Sequence, residues 1–164
     1  MVITYILNFG AAMFDQARML EQNNHLNFKV FQHPIYEITG KTLGIIGGSG
    51  TIGTAVIDIA LPLGMNVVIS SRKDKLPCGH KYENHKRVMV VPFDEVFRQS
   101  DFVSINCPLN AETWHSIGKK EINLMKPTAF LINTARGAII NEAELVECMK
   151  DGAIAGAGLG MSIF

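Results

Sequence analysis

Residues 42–53, TLGIIGGSGTIG, constrain this 164-residue chain more than any other stretch. An apolar run (Leu43, Ile45, Ile46) stops at a cluster of glycines, and a helical pattern begins at once. Gly48-Ser49-Gly50-Thr51-Ile52-Gly53 spells G-x-G-x-x-G between a buried strand and a helix. Each glycine answers a separate physical demand: a tight turn, the approach of a pyrophosphate to bare backbone, and close helix–strand packing. The phosphates then sit at the N-terminus of the helix from Thr51, on free N–H groups at the positive end of its dipole. Taken alone, the hexapeptide also suits an ordinary glycine-rich strand–helix turn.

The surrounding pattern narrows the choice. Apolar runs predict strands over residues 42–47, 66–70, 88–91, 102–106, 129–134 and 154–159. Helical patterns fill residues 51–61, 92–97, 119–125 and 141–150 between them. Pro62 with Gly64, and later Pro127, supply stops, while Asn141 with Glu144 three residues on reads as an N-cap and capping box. Unbroken apolar strands in β–α alternation predict a parallel, doubly wound α/β sheet. Ahead of it, Ile3, Ile6, Leu7, Gly10, Ala11, Phe14 and Ala17 recur at helical spacing. They predict one amphipathic helix over residues 2–26, ended near Asn23-Asn24, with an apolar stripe that needs a cover.

Fifteen Lys and Arg balance fifteen Asp and Glu, so no strong field draws nucleic acid or an acidic membrane. Residues 1–13 are apolar but lack a basic lead, and Asp15 and Arg18 cut them short of the ~20 residues a span needs. The odd set Cys78, Cys107 and Cys148 lacks paired spacing and implies reduced thiols and a cytoplasmic protein. A hydrophobic content of 48% is high for a free monomer and implies a buried partner surface.

Ligands of such sheets bind beyond the carboxyl ends of the strands, where strand order reverses. Besides the glycine loop, two strand ends here are unusual: Asn106-Cys107-Pro108-Leu109, and Asn133-Thr134-Ala135-Arg136-Gly137. Separately they read as a strand stop and a surface cation; together on one sheet edge they point to a cofactor site. The segments GKTLGIIG, GTIG, GMNVVISSR, SDFVSINCPLNAETWHSIG, LMKPTAFLINTARGAIINEAELVE and GAIAGAGL, in this order, resemble the D-isomer-specific 2-hydroxyacid dehydrogenases over residues 40–159. The resemblance implies a Rossmann-type sheet preceded by an N-terminal helix, and a homodimer made through the nucleotide-binding domains. It divides the chain into a helix over residues 1–30 and a dinucleotide-binding domain over residues 40–164, with the substrate domain largely absent. The implied chemistry is hydride transfer between NAD(P) and a small 2-oxo or 2-hydroxy acid. Arg136 then matches the residue that binds the substrate carboxylate and polarises its carbonyl. Thr134 and Ala135 line the nicotinamide side, Cys107 and Pro108 match the loop over the cofactor, and Asn106 stands where histidine or asparagine is usual.

The departures are equally informative. The family has one residue fewer between LGIIG and the last glycine, so the first glycine is Gly47 anchored from the left and Gly48 from the right. The right-hand anchor is preferred because Gly48, Gly50 and Gly53 then all fit. The acidic residue expected about 20 residues on, which grips the ribose diol, is replaced by Ser71, followed by Arg72 and Lys73. This favours NADP over NAD; the other use of Arg72 is to stack on adenine. The residue after GAGL that is acidic in the family is Gly160, and the family's downstream glutamate and acid/base histidine fall beyond Phe164. Whether the chain is an enzyme is therefore open, the competing expectation being a non-catalytic dinucleotide-binding or interaction module. Cys78, His80 and His85 lack a fourth ligand for zinc, and no metal site is expected.

Overall fold

A parallel sheet built from fully apolar strands must be covered on both faces, and the alternation of side chains along each strand divides the core into two layers. The computed structural model describes residues 1–21, 35–71 and 75–160. Its strands are β1 (Thr42–Ile46), β2 (Asn66–Ser70), β3 (Val88–Val90), β4 (Phe102–Ile105), β5 (Phe130–Asn133) and β6 (Gly156–Leu159). All pair in parallel, in the order β3-β2-β1-β4-β5-β6. This is the doubly wound α/β arrangement the sequence predicts, with strand order reversing between β1 and β4.

The helices are α1 (Val2–Gly10), α2 (Met13–Glu21), α3 (Thr51–Ala60), α4 (Phe93–Gln99), α5 (Lys119–Ile122) and α6 (Glu142–Lys150). On one face Leu43, Ile45, Ile69, Phe102 and Phe130 pack with Ile6 of α1 and with Val56, Ile57 and Ala60 of α3. On the other, Ile46, Val68, Val103, Ile105 and Leu131 pack with Val96 and Phe97 of α4, Ile122 of α5, and Leu145 and Cys148 of α6. The register aligns Ile46 with Ser70 and Ile105, then Ile105 with Asn133, and Asn133 with Leu159. Gly47, Ser71, Asn106 and Thr134, the next residues along, therefore share one edge of the sheet.

The N-terminal segment departs from the single helix expected. The chain breaks at Ala11 and Ala12, Ala12 taking a left-handed φ of 50°, and two helices result. The reason is tertiary: Gly10 sits against Ile38 and Tyr36, and its carbonyl accepts the Tyr36 N–H at 2.8 Å. The expected end at Asn23-Asn24 lies outside the described residues. Helix α1 is part of the core: Phe9 stacks on Phe130 at 4.5 Å, Phe130 on Phe102 at 5.7 Å, and the Tyr5 hydroxyl donates to the Leu159 carbonyl at 3.2 Å. Ile6 is fully buried within the chain, whereas α2 buries no residue and leaves Met13, Phe14 and Leu20 exposed.

The polar stretch before β3 is anchored to α3. Lys81 pairs with Asp58 at 2.9 Å, the Tyr82 hydroxyl donates to the same carboxylate, and His80 Nε2 lies 3.1 Å from Thr54 Oγ1. Those donors, Tyr82 foremost, hold the Asp58 carboxyl below the usual carboxylate range. Arg87 then donates to the Leu61 carbonyl at 2.8 Å, just past the end of α3.

If α1 is integral to the core, Phe9→Ala removes a ring stacked on the sheet and destabilises the protein by about 2–3 kcal/mol. Urea denaturation followed by circular dichroism measures this; a change within ~0.5 kcal/mol marks α1 as a loosely attached arm.

Candidate functional site

The site begins with three glycines that have no room for a side chain. Gly47 follows β1 with φ 88°, and a Cβ there would stand 2.8 Å from both the Asn106 carbonyl carbon and the Cys107 nitrogen. At Gly48 a Cβ would strike the Ile69 side chain of β2. At Gly53 it would meet the Gly47 carbonyl oxygen at 2.5 Å and the Gly48 Cα at 2.7 Å. The positive-φ turn thus falls on Gly47, one residue before the glycine that the right-hand anchoring selects, while Gly48 is needed for its contact with β2. With an extra residue in the loop, two adjacent glycines divide the work that one glycine does in the shorter motif.

Gly50 is the N-cap of α3, with no side-chain cap, and a Cβ there would meet only the Gly47 oxygen at 3.5 Å. The first backbone donor of α3 with an acceptor is Thr54, whose N–H reaches the Gly50 carbonyl at 2.8 Å. Among the described residues, the amides of Thr51, Ile52 and Gly53 have no carbonyl partner, as the first turn of a helix dictates. Bare backbone, free amides and the positive helix end form a cradle that fits the pyrophosphate of a dinucleotide.

A cleft of about 490 Å³ opens beside this cradle. Of the expected residues, Ser49, Gly50, Ser71, Asn106, Cys107 and Pro108 line it. Gly48 is buried beneath Ile69, and Thr51 and Ile52 stand exposed on the first turn of α3. Thr134, Ala135 and Arg136 lie past the end of β5 on the same sheet edge, outside the lining of the cleft. Arg136 is exposed, its Nη1 donating to the Ala135 carbonyl at 2.8 Å. Arg72 and Lys73 lie outside the described residues.

Second contacts set the lining groups. The fully buried Ser104 hydroxyl donates to Asn106 Oδ1 at 2.9 Å, which leaves the Asn106 amide N–H groups for the cleft. The Ser71 hydroxyl donates to the Lys75 carbonyl at 2.8 Å, so toward a ligand it offers lone pairs and not a proton. Thr113 Oγ1 donates to the Pro108 carbonyl at 2.7 Å and accepts the Asn110 N–H at 2.8 Å, which braces the loop after β4. Burial pushes the half-buried Cys107 thiol above its ordinary value and so suppresses its thiolate.

Sequence reasoning missed Phe93, Asn110, Glu112, Thr113 and Ser116, which also line the cleft. PLNAET carried a usable signal, because Asn110 Oδ1 accepts the amides of Glu112 and Thr113, both at 2.9 Å, the turn an Asn three residues before a Thr invites. Of the histidines considered for zinc, His80 Nδ1 accepts the Tyr82 N–H and His85 Nδ1 the Arg87 N–H, each at 3.2 Å. Among the described residues, no cluster of three His, Cys, Asp or Glu is arranged to hold a metal, and no helix is long and apolar enough to cross a membrane.

Comparison with known proteins agrees with this geometry. Residues 3–161 match the family described as D-isomer specific 2-hydroxyacid dehydrogenase, NAD binding domain. A glyoxylate reductase of Thermococcus litoralis is 44% identical over 131 residues, covering 77% of this chain and 38% of that protein. An acyclic imino acid reductase solved with NADPH and D-Arg superposes with a TM-score of 0.85 at 30% identity, over 99% of this chain and 50% of its own. The NAD complex of a D-isomer specific 2-hydroxyacid dehydrogenase from Lactobacillus delbrueckii ssp. bulgaricus gives 0.80 at 30% identity, over 98% and 46%. The chain thus spans half or less of the length of these proteins.

The thiols supply a chemical check. With Ellman's reagent at pH 8, exposed Cys78 reacts first and Cys107 at least about tenfold more slowly, its thiolate being suppressed by burial. NADPH slows Cys107 further and leaves Cys78 unchanged. A Cys107 that reacts as fast as Cys78 and ignores NADPH does not face a cofactor cleft.

Proposed function

The chain belongs to the D-isomer specific 2-hydroxyacid dehydrogenases and corresponds to their NAD-binding domain; on that premise we propose that it binds NADP in preference to NAD and sets a small 2-oxo or 2-hydroxy acid against Arg136. The observation that carries the cofactor reading is the cradle of free amides at Thr51–Gly53 beside a side-chain-free Gly50. Support for NADP comes from the end of β2. Ser70 and Ser71 line the cleft where a carboxylate would grip a ribose diol and repel phosphate. Arg72 and Lys73 follow as cations, the arginine able to pair bidentately with a 2′-phosphate.

A bound nicotinamide dinucleotide supplies or accepts the hydride. The chain does the rest by position. Free amides at the start of α3 hold the pyrophosphate, and Asn106 offers N–H donors within the cleft. Cys107 and Pro108 close one wall against water. Arg136 brings a permanently charged fork that suits a planar carboxylate and the charge growing on a reduced carbonyl. Its Nη1 donates to the Ala135 carbonyl, which leaves the other N–H groups of the guanidinium for a substrate carboxylate. Glyoxylate and hydroxypyruvate are the substrates of choice, the first because several relatives are named glyoxylate reductase.

A second reading, a cofactor-binding module that does not turn over, is favoured by one observation. Among the described residues, no histidine lines the cleft: His80 is bonded to Thr54, His85 to Arg87, and His115 stacks on Trp114 at 3.8 Å. A positioned proton donor contributes ~10²–10⁴-fold to rate, and these residues alone do without one. We assign residues 40–164 to the nucleotide-binding domain and residues 1–30 to an N-terminal segment whose first helix packs into that domain's core. The exposed Met13, Phe14 and Leu20 of α2, with Ile52 and Ile59 of α3, support a homodimer. Of the apolar stripe expected over residues 2–26, Ile6 is covered by its own chain. Three unpaired cysteines and balanced charge support a cytoplasmic protein without nucleic-acid or membrane partners.

The test is titration of NADPH and NADH into the wild type and Arg72→Ala. Charge-assisted hydrogen bonds contribute about 1.5–3 kcal/mol each, so NADPH binds roughly tenfold or more tightly than NADH, and Arg72→Ala erases most of the difference. Equal affinities in the wild type, or equal loss of both cofactors in the variant, reject phosphate recognition by Arg72. Consumption of NADPH with glyoxylate is expected to be weak or absent; rapid turnover rejects the non-catalytic module.

A further inference from the structure

Asn133, the last residue of β5, is fully buried, and a buried amide must find partners for both of its ends. Both are spent on the turn that follows. Asn133 Oδ1 accepts the Ala135 N–H at 3.0 Å, and Asn133 Nδ2 donates to the Arg136 carbonyl at 2.8 Å. These partners fix the orientation of the amide, because the flipped group would face donor to donor and acceptor to acceptor. The main chain of Asn133 is pinned as well, its carbonyl accepting the Gly160 N–H at 2.8 Å.

The Ala135 residue links this amide to the guanidinium. Its N–H is held by Asn133, and its carbonyl accepts Arg136 Nη1 at 2.8 Å. The Arg136 carbonyl also accepts the Ile139 N–H at 3.2 Å, which ties it to the 3₁₀ turn Gly137–Ile139. The root of the arginine is thus fixed on both sides while its side chain remains exposed. Asn133 does not line the cleft, and its place in the NTARG stretch alone assigns it no role.

We propose that Asn133 is a positioning residue: its buried amide presets the Thr134–Arg136 turn so that the Arg136 guanidinium stands ready for a carboxylate anion. This rests on the reading of Arg136 as the anion-binding residue. Preorganisation of this kind spares the ligand the cost of ordering the loop. A purely structural asparagine would affect stability and every ligand alike.

The experiment uses the full chain saturated with NADPH, into which glyoxylate is titrated by calorimetry, with ADP-ribose as a separate probe of the glycine-loop half of the site. The variants are Asn133→Ala, Asn133→Asp, Arg136→Ala and the double variant Asn133→Ala/Arg136→Ala. Arg136→Ala is expected to weaken glyoxylate at least about tenfold, and Asn133→Ala to do nearly the same while ADP-ribose changes less than about twofold. Asn133→Asp keeps the acceptor for Ala135 and loses the donor to Arg136, so its loss is smaller. The double variant is no weaker than Arg136→Ala, because Asn133 acts only through the arginine. Wild-type glyoxylate binding in Asn133→Ala, with Arg136→Ala impaired, overturns the proposal, as do additive losses in the double variant. If Asn133→Ala fails to fold, Asn133→Asp decides alone: weaker glyoxylate with retained ADP-ribose supports the inference, and parallel loss of both rejects it. Glyoxylate binding that ignores Arg136→Ala, or is absent in the wild type, removes the anion-site reading and the positioning inference with it.

Discussion

The architecture depends on how closely bare backbone can approach bare backbone at residues 47–53. A Cβ at Gly53 would stand 2.5 Å from the Gly47 oxygen, and one at Gly47 would stand 2.8 Å from the Asn106–Cys107 peptide. Only glycine permits both contacts, and only glycine takes φ 88° at Gly47 without strain. These contacts bring the end of β1 against the start of α3 and against the loop after β4. The strand order reverses between β1 and β4, so the loops diverge there and leave a crevice. The sheet register then carries the same edge outward to Asn133, which places Arg136 one strand beyond the crevice.

On the proposed reading, cofactor and substrate chemistry are divided between strand ends on one edge of the sheet. The first turn of α3 provides neutral donors in a fixed dipole, which suit a diffuse anion. Arg136 provides full charge on a long side chain, and the turn at its root is held by a buried amide. Among the described residues that line the cleft, Glu112 is the one carboxylate, on the same loop as Asn110 and Thr113.

Much of this was legible in the sequence because it is local. The glycine loop, the apolar strands and the Asn141 cap each declare themselves within a few residues, and Asn141 Oδ1 does accept the Glu144 N–H at 3.4 Å. What was not legible is set by contacts far apart in the chain. The apolar periodicity of residues 2–20 runs straight through Ala12, yet the helix breaks there because Gly10 is pressed against Tyr36 and Ile38. The choice between Gly47 and Gly48 for the turn turns on Ile69 and Cys107, more than twenty residues away. That Ser71 stands in place of the expected carboxylate was legible, but not that its proton goes to the Lys75 carbonyl. Asn133 was visible as part of NTARG, but its role needs both ends of its amide to be located.

The central claim is that the glycine loop and the end of β4 together hold the cofactor. Amide chemical-shift mapping of the isotopically labelled chain during NADPH addition tests it most directly. The account predicts that the largest changes fall on residues 49–53 and on Asn106 and Cys107, with β3 and α6 unmoved. Shifts absent from residues 49–53, or centred on α2 or α6, contradict it.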